Sequence, residues 1–274
     1  MNLSLGSLLA TPWLLLVVSA VFGLLVGSHL NVVIHRVPLG LSTSKPRSAC
    51  PNCNVTIGYR DLIPVLSWAL LRGKCRACRA KISARYPAVE AVTAALTVLL
   101  TAHTGLTMWL PALLYLLFIS VALFLIDLDC LRLPDAIVKP SWVILPVLLI
   151  PTVLSAPDPA HLLIRTALST ALWGGLFFTI WFATAGRGMG FGDVKLAPTL
   201  GLAAGVLGWG TSVVGLFSGF LFGSLIGVIL VLRGSATRKT KVPYGPFLLT
   251  GFWFAVFAGP SIWHAYLNEM GLIG

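Results

Sequence analysis

TMWLPALLYLLFISVALFLIDLD, residues 107–129, decides the fold. Its first twenty positions, 107–126, carry no charged side chain, and Asp127 and Asp129 follow at once. The hydrocarbon core of a bilayer is about 30 Å thick, and a helix that crosses it needs roughly 20 apolar residues. This stretch therefore predicts a membrane-spanning helix that ends in acidic residues.

The rest of the 274-residue chain repeats this apolar pattern. Hydrophobic residues make up 57% and charged residues 10%, whereas a soluble domain carries about 25% charged residues. So few charges cannot cover a surface in water, which excludes a soluble globule, a disordered chain and a secreted disulfide scaffold. We predict an all-α polytopic membrane protein with about eight transmembrane helices, at residues 12–34, 88–104, 107–126, 137–155, 162–185, 194–208, 210–232 and 246–267. No basic segment precedes the first of these, so we interpret it as a span and not as a signal peptide.

Basic residues predict the orientation of these spans. Of the 19 lysines and arginines, 18 lie in or beside the connections that follow the first, third, fifth and seventh spans, and only Arg165 lies near the opposite side. With eight spans these connections share one face, which the positive-inside rule assigns to the cytoplasm, with both termini outside. Because topology accounts for the net charge of +11, we expect the lipid bilayer as a partner and no nucleic acid.

One connection, residues 35–87, is long enough to form a separate element. We divide the chain into a first transmembrane helix (1–34), this cytoplasmic loop (35–87) and a transmembrane core of about seven helices (88–274). A loop of this size is too small to bury an adequate core, so we expect it to need a covalent or metal staple.

Two CxxC pairs provide a candidate staple. Cys50 and Cys53 are separated by 21 residues from Cys75 and Cys78, slightly more than the roughly 15–20 usual in such zinc sites. Zinc favours a closed tetrahedron of four sulfurs, which leaves no open position for a substrate, so a zinc ion here would be structural. A redox pair and unligated thiols remain the alternatives, although a cytoplasmic location disfavours disulfides. Cys130 has no partner in the sequence, and we assign it to packing.

The chain has only 8 acidic residues, so their positions are informative. Asp127, Asp129 and Asp135 lie where the third predicted span meets the cytoplasm, and Asp193 begins the sixth span on the same face. An ionisable group at membrane depth is costly and is usually functional or paired. Two carboxylates from different helices can share one proton, so that one acts on a water as base and the other acts as acid, as in an aspartic protease.

A structural role is the alternative for these acids. Asp129 and Asp135 could cap helices or pair with Lys195 and Arg132 instead of taking part in catalysis. The glycines that surround Asp193 nevertheless allow close backbone approach, since they carry no Cβ.

Five separated segments resemble a known family. They are GSHLNVVIHRVP (27–38), SACPNCNVTIGYRDLIPVLSWALLRGKCRACRAKISARYPAVE (48–90), IDLDCLRLPD (126–135), GMGFGDVKLAP (188–198) and VPYGPFLLTG (242–251). In this order they resemble the type IV prepilin leader peptidases, over nearly the whole chain. Members are bacterial inner-membrane aspartic peptidases that cleave the leader of prepilins or pseudopilins on the cytoplasmic side, for pilus biogenesis or type II secretion. They then methylate the new N-terminus with S-adenosylmethionine.

The resemblance implies roles for particular residues. Its catalytic pair falls on Asp127 and Asp193, and the resemblance implies zinc at the four cysteines. The residues around that pair are an acidic cluster, Asp129 and Asp135, and the GxGD loop with Gly190, Gly192 and Lys195.

Some features depart from the family pattern or carry no assignment. His29 and His35 replace aromatic residues of the family pattern, and we interpret both as packing positions. No Gly-rich loop follows a strand, so the sequence names no S-adenosylmethionine site. A proton-coupled transporter and a non-catalytic scaffold are the rival classes, but we find no internal repeat of the kind expected for a transporter.

Overall fold

A computed structural model of the chain describes residues 12–234 and 243–272. Within these ranges the chain forms nine α-helices and no β-strand, which confirms the predicted all-α fold. The remaining residues include Arg238, Lys239, Lys241 and Val242 of the last predicted basic connection, which therefore lie outside the described part. The helices are α1 (Pro12–Arg36), α2 (Leu66–Leu70), α3 (Arg85–Thr104), α4 (Leu110–Cys130), α5 (Asp135–Leu154), α6 (Pro159–Ala183), α7 (Phe191–Leu207), α8 (Trp209–Leu232) and α9 (Gly245–Glu269).

Eight of these helices correspond to the eight predicted spans. Among the described residues, seven helices are long and apolar enough to cross a membrane, namely α1, α3, α4, α5, α6, α8 and α9. The sixth predicted span is α7, which has 17 residues and is therefore only about 25 Å long. Eleven of its residues are buried, so α7 is largely enclosed by protein.

The described chain forms two compact units, Met1–Ala122 and Leu123–Gly274, and the boundary falls within α4. In the first unit, glycines allow α1 to approach α3 closely. A Cβ on Gly23 would lie 2.7 Å from Cα of Ala94, and one on Gly27 would lie 2.8 Å from Cα of Glu90. Small residues are a common way for membrane helices to bring their backbones into contact.

The second unit uses the same device at two helix pairs. Between α6 and α7, a Cβ on Gly201 would lie 2.8 Å from the carbonyl oxygen of Ser169, whose hydroxyl donates a hydrogen bond to the Gly201 carbonyl oxygen (2.7 Å). Between α8 and α9, a Cβ on Gly251 would overlap with the backbone nitrogen of Gly219. These approaches hold α7 against α6, and α9 against α8.

Arg165, the basic residue predicted near the opposite side, has a structural role. Its guanidinium donates hydrogen bonds to the carbonyl oxygens of Gly205 and Val206, at 2.8 and 2.9 Å. Both carbonyls belong to the last turn of α7, where backbone acceptors have no partner within the helix. Arg165 thus caps α7 from α6.

Candidate functional site

Each CxxC pair forms a backbone turn, and the two turns have the same geometry. The N–H of Asn54 donates to the carbonyl oxygen of Cys50 (2.9 Å), and the N–H of Arg79 donates to that of Cys75 (3.0 Å). Asn54 and Arg79 each follow the second cysteine of their pair, and both adopt left-handed backbone conformations, with φ of 56° and 61°. This shared geometry presents two cysteine side chains from each turn to the same place.

The four cysteine sulfurs converge. The Sγ atoms of Cys50, Cys53, Cys75 and Cys78 all lie within 4.8 Å of one another, and those of Cys50 and Cys78 are 3.8 Å apart. A tetrahedral zinc ion with Zn–S bonds of about 2.3 Å places its sulfur ligands about 3.8 Å from one another. The spacing of the sulfurs therefore fits a four-thiolate metal site.

Nearby donors favour the thiolate form of two of these cysteines. The backbone N–H of Ala80 and the side-chain amide of Asn52 lower the pKa of Cys78 to about 6. The N–H groups of Cys53 and Asn52 likewise lower the pKa of Cys50. A thiolate is the form of cysteine that binds metal, so these donors favour metal binding at Cys50 and Cys78. The Val55 N–H lowers the pKa of Cys53, but burial and hydrogen bonds with the other thiols outweigh this effect and raise that pKa to about 11.

Two further contacts fasten the cysteine loop. Arg76, between the cysteines of the second turn, forms an ion pair with Asp61 (2.7 Å), and this partner lowers the pKa of the Asp61 carboxyl. Oε2 of Glu90 in α3 accepts a hydrogen bond from the N–H of Val65 (2.7 Å). Val65 has a φ of 61°, a strained conformation for a β-branched residue, and the Glu90 bond stabilises it.

Asp127 and Asp193 form a buried pair of carboxylates in the second unit. Each is only 5% exposed; Asp127 lies in the last turn of α4 and Asp193 in the first turn of α7. The two side chains interact electrostatically as like charges. Oδ2 of Asp127 accepts a hydrogen bond from the N–H of Gly245 (3.1 Å), whereas Oδ1 of Asp193 is buried and has no partner among the described residues.

Glycines make room for this pair. A Cβ on Gly192 would lie 2.9 Å from Cβ of Leu133, and one on Gly190 would lie 3.3 Å from Oδ2 of Asp193. The glycines of the GxGD loop thus allow the start of α7 to approach the segment between α4 and α5. This is a steric requirement, because neither glycine has a positive φ.

Asp135 has the ion-pairing role that the sequence left as an alternative. Its carboxylate contacts Nζ of Lys139 at 2.8 Å and also contacts Nζ of Lys195. Trp142 adds a hydrogen bond from its indole N–H to the Lys195 carbonyl oxygen (3.0 Å). Asp135 and Trp142 thus tie the first two turns of α5 to the first two turns of α7, which carries Asp193.

The other residues singled out in the sequence lie at exposed positions. Asp129, two positions after the buried Asp127, is exposed, as are Cys130, His29 and His35. Asp127 and Asp129, two positions apart in the same motif, therefore differ in burial.

Sequence reasoning missed the contribution of residues 243–246 to the site. The segment VPYGPFLLTG carried the resemblance but received no role, yet Gly245 binds Asp127 and Tyr244 interacts electrostatically with Asp193. The available signal was a tyrosine and a glycine between two prolines at the start of a predicted span.

Two family models match successive parts of the chain. Residues 21–104 match the model of the bacterial peptidase A24 N-terminal domain, and residues 112–232 match that of the type IV leader peptidase family. No solved structure matches the chain.

Several curated relatives match along almost their whole length. The prepilin leader peptidase/N-methyltransferase of Aeromonas hydrophila is 36% identical over 283 residues, covering 94% of this chain and 96% of the relative. The proteins of the same name from Pseudomonas aeruginosa and Bacillus subtilis are 33% and 34% identical, covering 97% and 90% of this chain and 98% and 96% of the relatives. At these identities and coverages, the chain belongs to the family of type IV prepilin leader peptidases and N-methyltransferases.

Proposed function

We propose that this protein cleaves the leader of type IV prepilins or pseudopilins and then methylates the new N-terminus, with Asp127 and Asp193 as the catalytic residues of cleavage. The enzyme class follows from family membership. The single observation that supports the residue assignment is the burial of two interacting carboxylates from different helices, each 5% exposed.

The cleavage step is a general acid–base hydrolysis. One carboxylate takes a proton from water, and the water oxygen bonds to the carbonyl carbon of the peptide bond. The other, protonated carboxyl then gives its proton to the leaving nitrogen as the C–N bond breaks. No serine or cysteine nucleophile is needed, so we expect no acyl-enzyme.

The membrane location suits the substrate. A prepilin of the family carries a basic leader followed by a hydrophobic helix, and this helix can enter between the spans from the lipid. We place the basic connections and both aspartates on the cytoplasmic side because 18 of the 19 basic residues lie in or beside the same set of connections. The protein would then act at the cytoplasmic face of the inner membrane.

We further propose that Cys50, Cys53, Cys75 and Cys78 hold one structural zinc ion. Their sulfurs fit a four-thiolate site, and a closed site of this kind stabilises a fold and leaves no position for a substrate. The ion would link two turns that lie 21 residues apart in a loop with no strand among its described residues.

Methyl transfer requires a second set of contacts. S-adenosylmethionine gives its methyl group to the new N-terminal amine. This amine is part of a peptide bond until the leader is removed, so cleavage precedes methylation. The free amine must also lose a proton before it accepts the methyl group. The loop 35–87 is the longest polar segment of the chain and is our candidate for part of that site.

The test of the peptidase assignment compares three aspartate variants in purified, detergent-solubilised protein. Asp127→Asn and Asp193→Asn are expected to abolish loss of the leader from a type IV prepilin, seen as a shift in mass. Asp129→Asn is the matched control, because it makes the same change at an exposed position of the same motif. Cleavage by either of the first two variants at close to the wild-type rate would refute the assignment.

A further inference from the structure

The buried interior around the aspartates contains a second polar atom with no partner. The hydroxyl oxygen of Tyr244 is inaccessible to solvent and forms no hydrogen bond within the described part of the chain, like Oδ1 of Asp193. The Asp193 carboxylate acts electrostatically on this tyrosine, so the two groups are near one another. Burying an unpaired polar group costs free energy, and such groups call for an explanation by strain, chemistry or a ligand.

The tyrosine ring is held in place by aromatic neighbours. Its centroid lies 5.9 Å from that of Phe177, 5.8 Å from that of Phe220 and 6.4 Å from that of Phe247. The adjacent residue, Gly245, is bonded to Asp127. The hydroxyl is therefore presented by a fixed ring, and the backbone next to it is anchored to the other aspartate.

Two other donors beside the pair are already engaged. Lys195 contacts the Asp135 carboxylate, and the N–H of Gly245 is bonded to Asp127. Hydrolysis of a peptide bond develops negative charge on the carbonyl oxygen, and donors aimed at that oxygen are a major source of catalysis. In the proposed steps one carboxylate removes a proton from water and the other gives its proton to the leaving nitrogen, so a separate donor to the carbonyl oxygen leaves both carboxyl groups free for those roles.

We infer that the Tyr244 hydroxyl donates a hydrogen bond to the carbonyl oxygen of the scissile peptide bond as that oxygen gains negative charge. This inference rests on the proposed roles of Asp127 and Asp193. As the water oxygen bonds to the carbonyl carbon, the π pair moves onto the carbonyl oxygen, where the hydroxyl stabilises it. The pair returns when the C–N bond breaks and the nitrogen takes its proton, so Tyr244 ends the reaction unchanged.

The experiment is Tyr244→Phe, which removes only the hydroxyl. Removing an unpaired buried hydroxyl is expected to leave the melting temperature unchanged or raise it. If the hydroxyl binds the carbonyl oxygen in the transition state, kcat for prepilin cleavage falls on the order of 100-fold, with little change in KM.

Thr152→Val is the matched control. The Thr152 hydroxyl is also buried without a partner in the described residues, but it lies near the end of α5 opposite Asp135, about 25 Å along the helix. This variant is expected to keep the wild-type kcat.

The alternatives give different results. A kcat within twofold of wild type, a rise in KM with kcat unchanged, or a loss of activity that follows a fall in melting temperature would each overturn the role of Tyr244. Asp193→Asn is run in parallel. If that variant is inactive while Tyr244→Phe is fully active, the tyrosine inference fails and the aspartate assignment stands; if Asp193→Asn is active, the assignment itself fails.

Discussion

The backbone N–H of Gly245 donates a 3.1 Å hydrogen bond to Oδ2 of Asp127, although 118 residues separate the two in the chain. This N–H belongs to the first turn of α9, where backbone donors have no partner within the helix. The bond therefore satisfies the helix end and fixes the orientation of a carboxylate in the last turn of α4. A Cβ at position 245 would lie 2.7 Å from the same oxygen, so only glycine allows the approach.

Gly245→Ala is expected to reduce prepilin cleavage strongly while the protein still inserts and folds. A contact of 2.7 Å to Asp127 is too short to be tolerated, so either the carboxylate or the start of α9 must move. A displacement of about 1 Å at a catalytic group can reduce a rate on the order of 100-fold. The measurement is kcat for prepilin cleavage, with the melting temperature of each purified variant.

Gly227→Ala is the control for this substitution. Gly227 lies in the interior of α8, and a Cβ there would meet nothing within 4 Å, so the change should leave cleavage unaffected. Equal activity of the Gly245→Ala and Gly227→Ala variants would show that the Asp127 carboxylate does not need its present position.

The two lysines that contact Asp135 are expected to differ in their contribution to stability. The side chain of Lys195 is 18% exposed and that of Lys139 is 59% exposed. Lys195→Met is expected to lower the melting temperature more than Lys139→Met does, because the Lys195 side chain is the more buried of the two and joins α7 to α5. Lys139→Met is expected to change the melting temperature little, as is usual for a surface ion pair. Thermal unfolding of both variants checks this difference.

Lys195→Met should also slow cleavage, because the contact with Asp135 ties the start of α7 to α5 and Asp193 lies two residues before Lys195. Lys139→Met is the matched control, since it removes the same charge from the same carboxylate without releasing α7. If both variants show the same loss of stability and the same rate of prepilin cleavage, the contact between α5 and α7 does not contribute to activity.

Features set by local spacing could be predicted from the sequence, and features set by long-range contacts could not. The helices follow from uncharged runs of about 20 residues, and the CxxC spacing predicted that Cys50 and Cys53 would converge with Cys75 and Cys78. By contrast, nothing in the spacing of the motif distinguishes a buried Asp127 from an exposed Asp129. The packing of neighbouring helices decides which side of α4 is buried, and the local sequence does not specify that packing.

The same reason explains the missed contribution of residues 243–246. The contact between Gly245 and Asp127 joins positions 118 residues apart, and no local pattern encodes it. The length of α7 was also ambiguous: its hydropathy resembles that of a span, but the burial of eleven of its 17 residues depends on packing against other helices.

Purified protein is expected to contain about one zinc ion per chain. The sulfurs of Cys50 and Cys78 are 3.8 Å apart, as in a tetrahedral zinc site, and the pKa of Cys78 is lowered to about 6. Cys50→Ser and Cys78→Ser are each expected to lose the metal, measured by elemental analysis. Acidification should release it as well, because protons compete with zinc for the thiolates.

Cys130→Ser is the control for metal binding, since Cys130 is exposed and lies outside the four-sulfur cluster. It should keep the full zinc content. If wild-type protein is found to contain no metal when purified, and its four loop thiols titrate freely, the zinc proposal is refuted. A disulfide between two of the four cysteines, detected by mass spectrometry, would favour the redox alternative.

Cleavage and methyl transfer place different demands on Asp193. In the proposed mechanism, hydrolysis needs the Asp193 carboxylate to hold or accept a proton. Methyl transfer needs a pocket for S-adenosylmethionine and an amine that has already been released. Asp193→Asn removes the charge but hardly alters the shape of the side chain, and the glycines beside it are unchanged.

Asp193→Asn is therefore expected to abolish cleavage and to keep methylation of a peptide whose mature N-terminus is already exposed. The measurement is transfer of a labelled methyl group from S-adenosylmethionine to that peptide, by wild type and by the variant in parallel. Asp129→Asn serves as the control, and it should keep both reactions. If the folded Asp193→Asn protein loses methylation as completely as cleavage, both reactions depend on this aspartate, and the proposal of two separate sites has to be abandoned.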